Sequence, residues 1–195
     1  GNDLSVIASG PTVKDDTTKE HALQILRKFN LFNTLKLSED DFIETPKEDK
    51  YFENTTSILL VSNQIALNAM EEKARELGYV AEILSDKFQS NAKTAGKKLI
   101  DKTSSGILLA GGETTVRVLN KGGKGGRNQT LVLSALLHVN NNITIVSFDS
   151  DGWDNSPYAG AIGDFLTIQK AKELNINPEN FLQEDNSFYF FEKTG

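Results

Sequence analysis

The sequence predicts an α/β fold, three layers deep, on a mostly parallel sheet. Two observations carry that reading. Residues 58–61 and 107–110 are unbroken apolar runs, and 80–84 is nearly one, as expected of strands covered on both faces. Between them lie stretches of helical periodicity: apolar side chains at 66, 69, 70, 74 and 77, closed by Gly78, then a second helix over 91–100. Strands alternating with helices need crossovers, and crossovers make neighbouring strands parallel.

The remaining elements follow from the same grammar. Thr17 and Glu20 have capping-box spacing, and Ala22, Leu23, Leu26 and Phe29 continue at helical intervals, predicting a helix over 17–29. Residues 37–56 are acidic and irregular, a connector that divides the chain into segments 1–50 and 51–195. Asn63 stands where it would cap the helix that follows. Residues 116–119 alternate polar and apolar as a half-exposed strand does. A glycine loop then leads to a helix over 131–139 and a strand over 143–148. Residues 165–174 read as a helix, and Ser187-Phe188-Tyr189-Phe190-Phe191 as a final strand. No internal repeat or low-complexity segment occurs.

Composition narrows the function. A hydrophobic content of 38% and a charged content of 25% over 195 residues are those of a globular protein. A net charge of −6 without a long basic run argues against nucleic-acid or anionic-membrane partners and favours a small molecule. The absence of cysteine removes disulfides, thiolate zinc sites and a thiol nucleophile, and suits a reducing, cytoplasmic setting. His21 and His138 sit at no metal spacing. No run approaches the roughly 18 apolar residues of a spanning helix. The N-x-T triplets at Asn54, Asn128 and Asn142 are discounted as chance matches. The start, Gly1-Asn2-Asp3-Leu4, is neither a signal peptide nor an initiator methionine, so the chain reads as an internal piece.

Three segments are suited to chemistry. Ala110-Gly111-Gly112-Glu113-Thr114-Thr115 follows a strand, at the carboxyl end where open α/β sheets bind ligands. Its glycines permit close backbone approach, and the alternative is a tight turn with a solvated glutamate. Lys121-Gly122-Gly123-Lys124-Gly125-Gly126-Arg127-Asn128-Gln129 runs into a helix start, where free N–H groups, the helix dipole and a guanidinium suit an anion. It fits neither a Walker A loop nor a dinucleotide fingerprint, and the alternative is a solubilising hairpin tip. Asp149-Ser150-Asp151-Gly152-Trp153-Asp154-Asn155 ends a strand with three carboxylates, suited to Mg²⁺, to a substrate hydroxyl or to its proton. A plain polar turn is the alternative there.

These motifs together resemble the glycerate 2-kinase family, whose C-terminal region is called MOFRL. The resemblance rests on Asp3-Leu4-Ser5-Val6-Ile7-Ala8-Ser9-Gly10-Pro11-Thr12, Glu44-Thr45-Pro46-Lys47, Gly111-Gly112-Glu113-Thr114-Thr115, Gly125-Gly126-Arg127-Asn128-Gln129, and Ser150-Asp151-Gly152 followed by Ala159-Gly160-Ala161, in the family's order. It implies a C-terminal MOFRL-type domain over 51–195, ending early, and a segment of an N-terminal Rossmann-like domain over 1–50. It also implies an active site in the cleft between two such domains, ATP and Mg²⁺ as cofactors, and transfer of phosphate to the 2-hydroxyl of D-glycerate. Arg127 would hold a carboxylate or phosphate. Glu113 and Asp151 would serve metal or substrate. Ser9, Gly10 and Thr12 would sit near the phosphates, and Gly111, Gly112, Thr114, Gly125, Gly126, Asn128 and Asp149 would complete the binding surface. The partners implied are D-glycerate, a nucleotide and the missing N-terminal domain, with monomer and homodimer both compatible. Where family members often have Gly-Pro-Thr-Asp after the position of Asp154, this chain has Asn155-Ser156-Pro157-Tyr158. Two other readings stand beside the kinase. One is an NAD(P)H-dependent hydroxypyruvate reductase, the other a non-catalytic anion-binding piece.

Overall fold

The structure is a computed structural model that describes residues 3–140 and 142–195; Gly1, Asn2 and Asn141 lie outside the described residues. The chain forms two compact units, Gly1–Ser62 and Asn63–Gly195.

The first unit is helical and irregular. A 3-10 turn, Ile7–Ser9, closes on Gly10, whose left-handed backbone (φ 58) lets its N–H bond Ile7 O at 2.9 Å. Helices α1 (Lys19–Lys28) and α2 (Leu31–Leu35) follow. The cap of α1 stands one residue later than the sequence pattern suggests. The Thr17 hydroxyl donates to Asp15 Oδ1 at 2.7 Å, so Thr18 caps instead, accepting from His21 N at 3.3 Å while donating its own N–H to His21 Nδ1 at 3.2 Å. The connector motif fastens this helix start. Glu44 Oε2 accepts from Lys19 N at 3.0 Å, and Lys47 Nζ donates to Asp15 O at 2.7 Å and to Thr17 O.

Residues 58–61 are not a strand. Their side chains are exposed, Leu60 at 80%, and no ladder pairs them among the described residues. An apolar run becomes a strand only where its N–H and C=O groups find a neighbouring edge.

The second unit runs α3 (Asn63–Glu76), β1 (Ala81–Phe88), α4 (Ala92–Lys102), β2 (Ile107–Gly112), α5 (Arg127–Leu136), β3 (Ile145–Phe148), β4 (Gly160–Gly163), α6 (Phe165–Glu173), α7 (Pro178–Gln183) and α8 (Ser187–Thr194). Strands β1 and β2 are parallel, with Ala81 opposite Ile107 and Ile83 opposite Leu109. Helix α4 makes the crossover, capped by Asn91, and α3 packs on both strands. Helix α3 ends as Gly78 was expected to end it: at φ 85 it lets Tyr79 N reach back to Ala74 O at 2.9 Å. Asn63 lies inside this helix rather than capping it, and its amide donates to Asp86 O at 3.1 Å, tying α3 to β1.

Three expectations are corrected here. Strand β3 pairs antiparallel with β4, Ile145 opposite Gly163, a partner that Gly-Ala-Ile-Gly scarcely announces. Residues 116–119 form a loop, because the N–H of Leu119 donates at 2.6 Å to the Asp185 carboxylate instead of to a strand. Residues 187–191 are helical despite their strand-like composition. As helix α8 they bury Phe188 and Phe190, the latter edge-on to Phe181 at 5.9 Å, and burial outweighs intrinsic preference.

Helix α5 is the core, buried from Gln129 to Leu136 and packed on Ala92, Ala95 and Phe190. It meets α4 at Gly96, where Ser134 Oγ is inserted into the α4 ladder, accepting from Gly96 N at 3.1 Å and donating to Ala92 O at 3.0 Å. A Cβ on Gly96 would come within 2.3 Å of Ala135 N and 2.6 Å of Leu131 O. Replacing glycine by alanine inside a helix ordinarily gains about 1 kcal/mol, but forcing a methyl against backbone costs up to about 3 kcal/mol. Gly96→Ala is therefore expected to lose about 2 kcal/mol net in urea unfolding.

Candidate functional site

The carboxyl ends of β2 and β3 and the start of α5 meet. Gly112 ends β2 at φ 157, where a Cβ would lie 2.1 Å from Phe88 O, so the strand needs glycine to turn there. The turn presents Glu113, whose N–H bonds Phe88 O at 3.0 Å. Gly126 caps α5 without a side chain and delivers Arg127 as its first residue. Arg127 Nη1 donates to Glu113 Oε1, and Nη2 lies 4.0 Å from Asp149 Oδ1 just past β3. Glu113, Arg127 and Asp149, which the sequence offered as three separate motifs, form one charged cluster.

The electrostatics are uneven. The hydrogen bond that Arg127 donates to Glu113 raises the Arg127 pKa, against partial burial. Asp149 is raised by desolvation first and by the neighbouring Asp154 charge second, while Arg127 and Asn128 pull it down. A carboxyl whose folded pKa lies above its unfolded value holds its proton more tightly when folded. Its contribution is fully present below the unfolded value, about 3.9, and is lost as pH rises through the folded one. Asp149→Asn is expected to flatten that acid-side decline in a series of urea melts at graded pH.

The helix start is less open than the glycine motif suggests. The N–H groups of Asn128 and Gln129 already donate to Asp154, at 3.0 and 2.7 Å, and Asn128 Nδ2 reaches the same carboxylate at 3.3 Å. Asp154, 2% exposed, is thus an intramolecular occupant of the anion position at α5. The sequence reading passed it over, since three aspartates in one turn look alike until the fold buries one. The cation of this cluster is the guanidinium of Arg127, whose side chain is 38% exposed.

Other expected residues are placed as follows. Asn128 accepts from Ser147 Oγ at 2.5 Å, which fixes its orientation. Asp151 is exposed and accepts from Trp153 N at 2.9 Å, an Asx turn. Gly125 O accepts from Asn155 Nδ2 at 3.2 Å. The glycine loop is no free tip, since Lys124 Nζ sits 3.6 Å over the Phe188 ring. Gly111, Gly112, Thr114, Asn128 and Asp149 line the polar end of a cavity of about 420 Å³ whose body is apolar, with Leu109, Leu131 and Ile145. Ser9, Gly10 and Thr12 belong to the first unit. There Thr12 Oγ1 and Ser57 Oγ share a 3.1 Å hydrogen bond beside a cavity of about 280 Å³. Among the described residues no three His, Asp or Glu side chains converge to hold a metal by themselves. Asp151 lies close enough to Asp149 to add to the charge that raises it, and carboxylate oxygens are the donors that suit a divalent cation sharing its shell with phosphates.

Comparison with known proteins agrees with these motifs. Residues 106–195 match the MOFRL family, and residues 1–43 match a domain of unknown function, DUF4147. The chain is 36% identical over 217 residues to a glycerate 2-kinase of Pyrococcus horikoshii, covering 100% of this chain and 49% of that protein. It is 31% identical to a D-glycerate 2-kinase of Thermotoga maritima, again over 100% of this chain and 49% of the relative. The crystal structure of a Thermotoga maritima glycerate kinase superposes with a TM-score of 0.77 at 32% identity, over 100% of this chain and 50% of that one. The chain spans about half the length of the curated relatives it matches. Through residues 106–195, the chain is similar to the MOFRL family.

Proposed function

We propose that this chain carries the acceptor side of a glycerate 2-kinase, which moves the γ-phosphoryl group of ATP to the 2-hydroxyl of D-glycerate. The observation that carries the reading is Arg127 held between Glu113 and Asp149 where β2 and β3 end. Phosphoryl transfer asks a protein mainly to position two oxygens and to neutralise charge that spreads over the phosphoryl group. Arg127 supplies the cation, for the glycerate carboxylate or the phosphoryl oxygens. Asp149, its proton affinity raised, accepts the proton as the 2-hydroxyl oxygen bonds phosphorus and the bond to ADP breaks. Asp151 would hold a Mg²⁺ ion, which would supply charge neutralisation on the phosphate oxygens. Glu113 orients Arg127, and Gly111, Gly112, Thr114 and Asn128 give the cavity its polar end. The same reading treats residues 51–195 as the smaller domain of such an enzyme, acting in the cytoplasm.

The test is transfer from ATP to D-glycerate by the native protein carrying this sequence, with 2-phosphoglycerate identified as product. A parallel assay follows NAD(P)H oxidation by hydroxypyruvate. Formation of 2-phosphoglycerate with silent nicotinamide is the expected result. Nicotinamide oxidation without phosphoryl transfer would establish the reductase instead. The reductase reading has weaker support: a relative of Agrobacterium vitis named for hydroxypyruvate reduction is 29% identical. The 195-residue chain alone is expected to bind anions without turnover.

A further inference from the structure

Arg127 follows a loop with glycines at 122, 123, 125 and 126, and such a loop has broad conformational freedom unless something removes it. The turn between α7 and α8 removes it. Asp185 lies there with a left-handed backbone, φ 55, and a side chain only 7% exposed. Its Oδ2 accepts from Leu119 N at 2.6 Å and from Asn120 N at 2.9 Å, and its Oδ1 meets Lys93 Nζ of α4 at 2.6 Å. The same turn holds the loop further along. Asn120 Nδ2 donates to Glu184 O at 3.1 Å, Lys124 N to Asn186 Oδ1 at 3.3 Å, and Phe188 N to Lys124 O at 3.0 Å. Gly123 rests against this turn so closely that a Cβ would lie 2.4 Å from Asp185 O. Asp154 then fixes the first residues of α5.

We infer that Asp185, paired with Lys93, is a positioning residue of the active site: it pins the entry of the glycine loop so that Arg127 arrives at Glu113 and Asp149 in one orientation. The inference rests on the proposed kinase reading for its effect on turnover, and on geometry alone for its effect on the loop. Neither the family match nor the relatives' names assign either residue a role. A buried ion pair is weak evidence for stability, since an apolar pair of similar volume often does as well. What this pair does that an apolar pair cannot is accept two successive loop N–H groups.

The test compares the native protein with Asp185→Ala, Asp185→Asn and Lys93→Met. Hydrogen exchange in a peptide spanning 119–126 is expected to quicken at least about tenfold in Asp185→Ala, while peptides from β1 and β2 keep their rates. The kcat/KM per folded molecule should fall about 30-fold, as small misplacements of a catalytic group do, with Asp185→Asn recovering part of it because its amide oxygen still accepts. A purely structural Asp185 would lower the melting temperature and leave kcat/KM per folded molecule unchanged. That result, or unchanged exchange over 119–126, overturns the inference. If the wild type transfers no phosphate, the kinase reading falls. Asp185 is then judged by loop exchange together with the Arg127 Nε–H resonance, which should shift or broaden in Asp185→Ala. An unaltered resonance overturns it. Should Asp185→Ala fail to fold, Lys93→Met, which removes a partly exposed partner, carries the same measurements.

Discussion

Arg127→Ala in the native protein should lower kcat/KM for phosphoryl transfer to D-glycerate by about 10³-fold, the loss seen when one preorganised charge-stabilising group leaves an active site. The unfolding free energy should hardly move. The side chains of Arg127 and Glu113 are 38% and 67% exposed, and an ion pair so wetted contributes at most about 1 kcal/mol. That separation of activity from stability is the diagnostic. Arg127→Lys should recover only part of the loss. A guanidinium can present one nitrogen to Glu113 and another toward Asp149, whereas an ammonium offers a single point of charge. Steady-state kinetics with urea melts on the same preparations would decide it. A silent Arg127→Ala removes the glycine-loop cluster as the site.

The legible part of the fold was the part written in local pattern. The helix ending at Gly78, the parallel pair β1–β2 and the crossover α4 follow from apolar periodicity and a left-handed cap. The meeting of the ends of β2 and β3 does not, because β3 pairs with β4 in a separate sheet among the described residues and Arg127 joins the two ends. What was illegible depends on distant partners. Residues 116–119 and 187–191 carry strand-like composition, yet one stretch is held by Asp185 and the other is wrapped into a helix by the aromatic packing of Phe188 and Phe190. Residues 58–61 show the same lesson from the other side, since composition supplies the apolar face but not the neighbouring edge.

In the charged cluster, the members were legible from the sequence and their contacts were not. Glu113, Arg127 and Asp149 stood out from the sequence by chemistry and spacing. That Asp154 rather than an external anion takes the amides of α5 could be found only once burial distinguished it from Asp149 and Asp151. Lys93 and Asp185 gave no local signal at all, being an ordinary lysine in a first helical turn and an ordinary aspartate in a linker.

The division among the three aspartates yields the sharpest stability contrast. Asp154→Ala should cost about 4 kcal/mol. Its carboxylate accepts two backbone hydrogen bonds that together cap α5, and a hydrogen bond to a charged acceptor contributes about 2 kcal/mol. Little of that is recovered, because Gln129, one of the two donors left behind, is 1% exposed and water cannot replace the carboxylate. The space is equally constrained from the other side, since a Cβ on Gly126 would stand 2.2 Å from the backbone oxygen of residue 154, so no larger residue at 126 could substitute for the lost contact without moving α5. Asp154→Asn should lose about half as much, keeping one acceptor oxygen but no charge. Asp151→Ala, three residues earlier in the same turn, should lose less than about 1 kcal/mol, because its carboxylate is exposed and, among the described residues, accepts only from Trp153 N. Urea unfolding of the three variants measures the contrast. Equal losses at 151 and 154 would mean that the start of α5 is not capped by Asp154, and its amides would then be free to bind the anion that Arg127 is here assigned to hold.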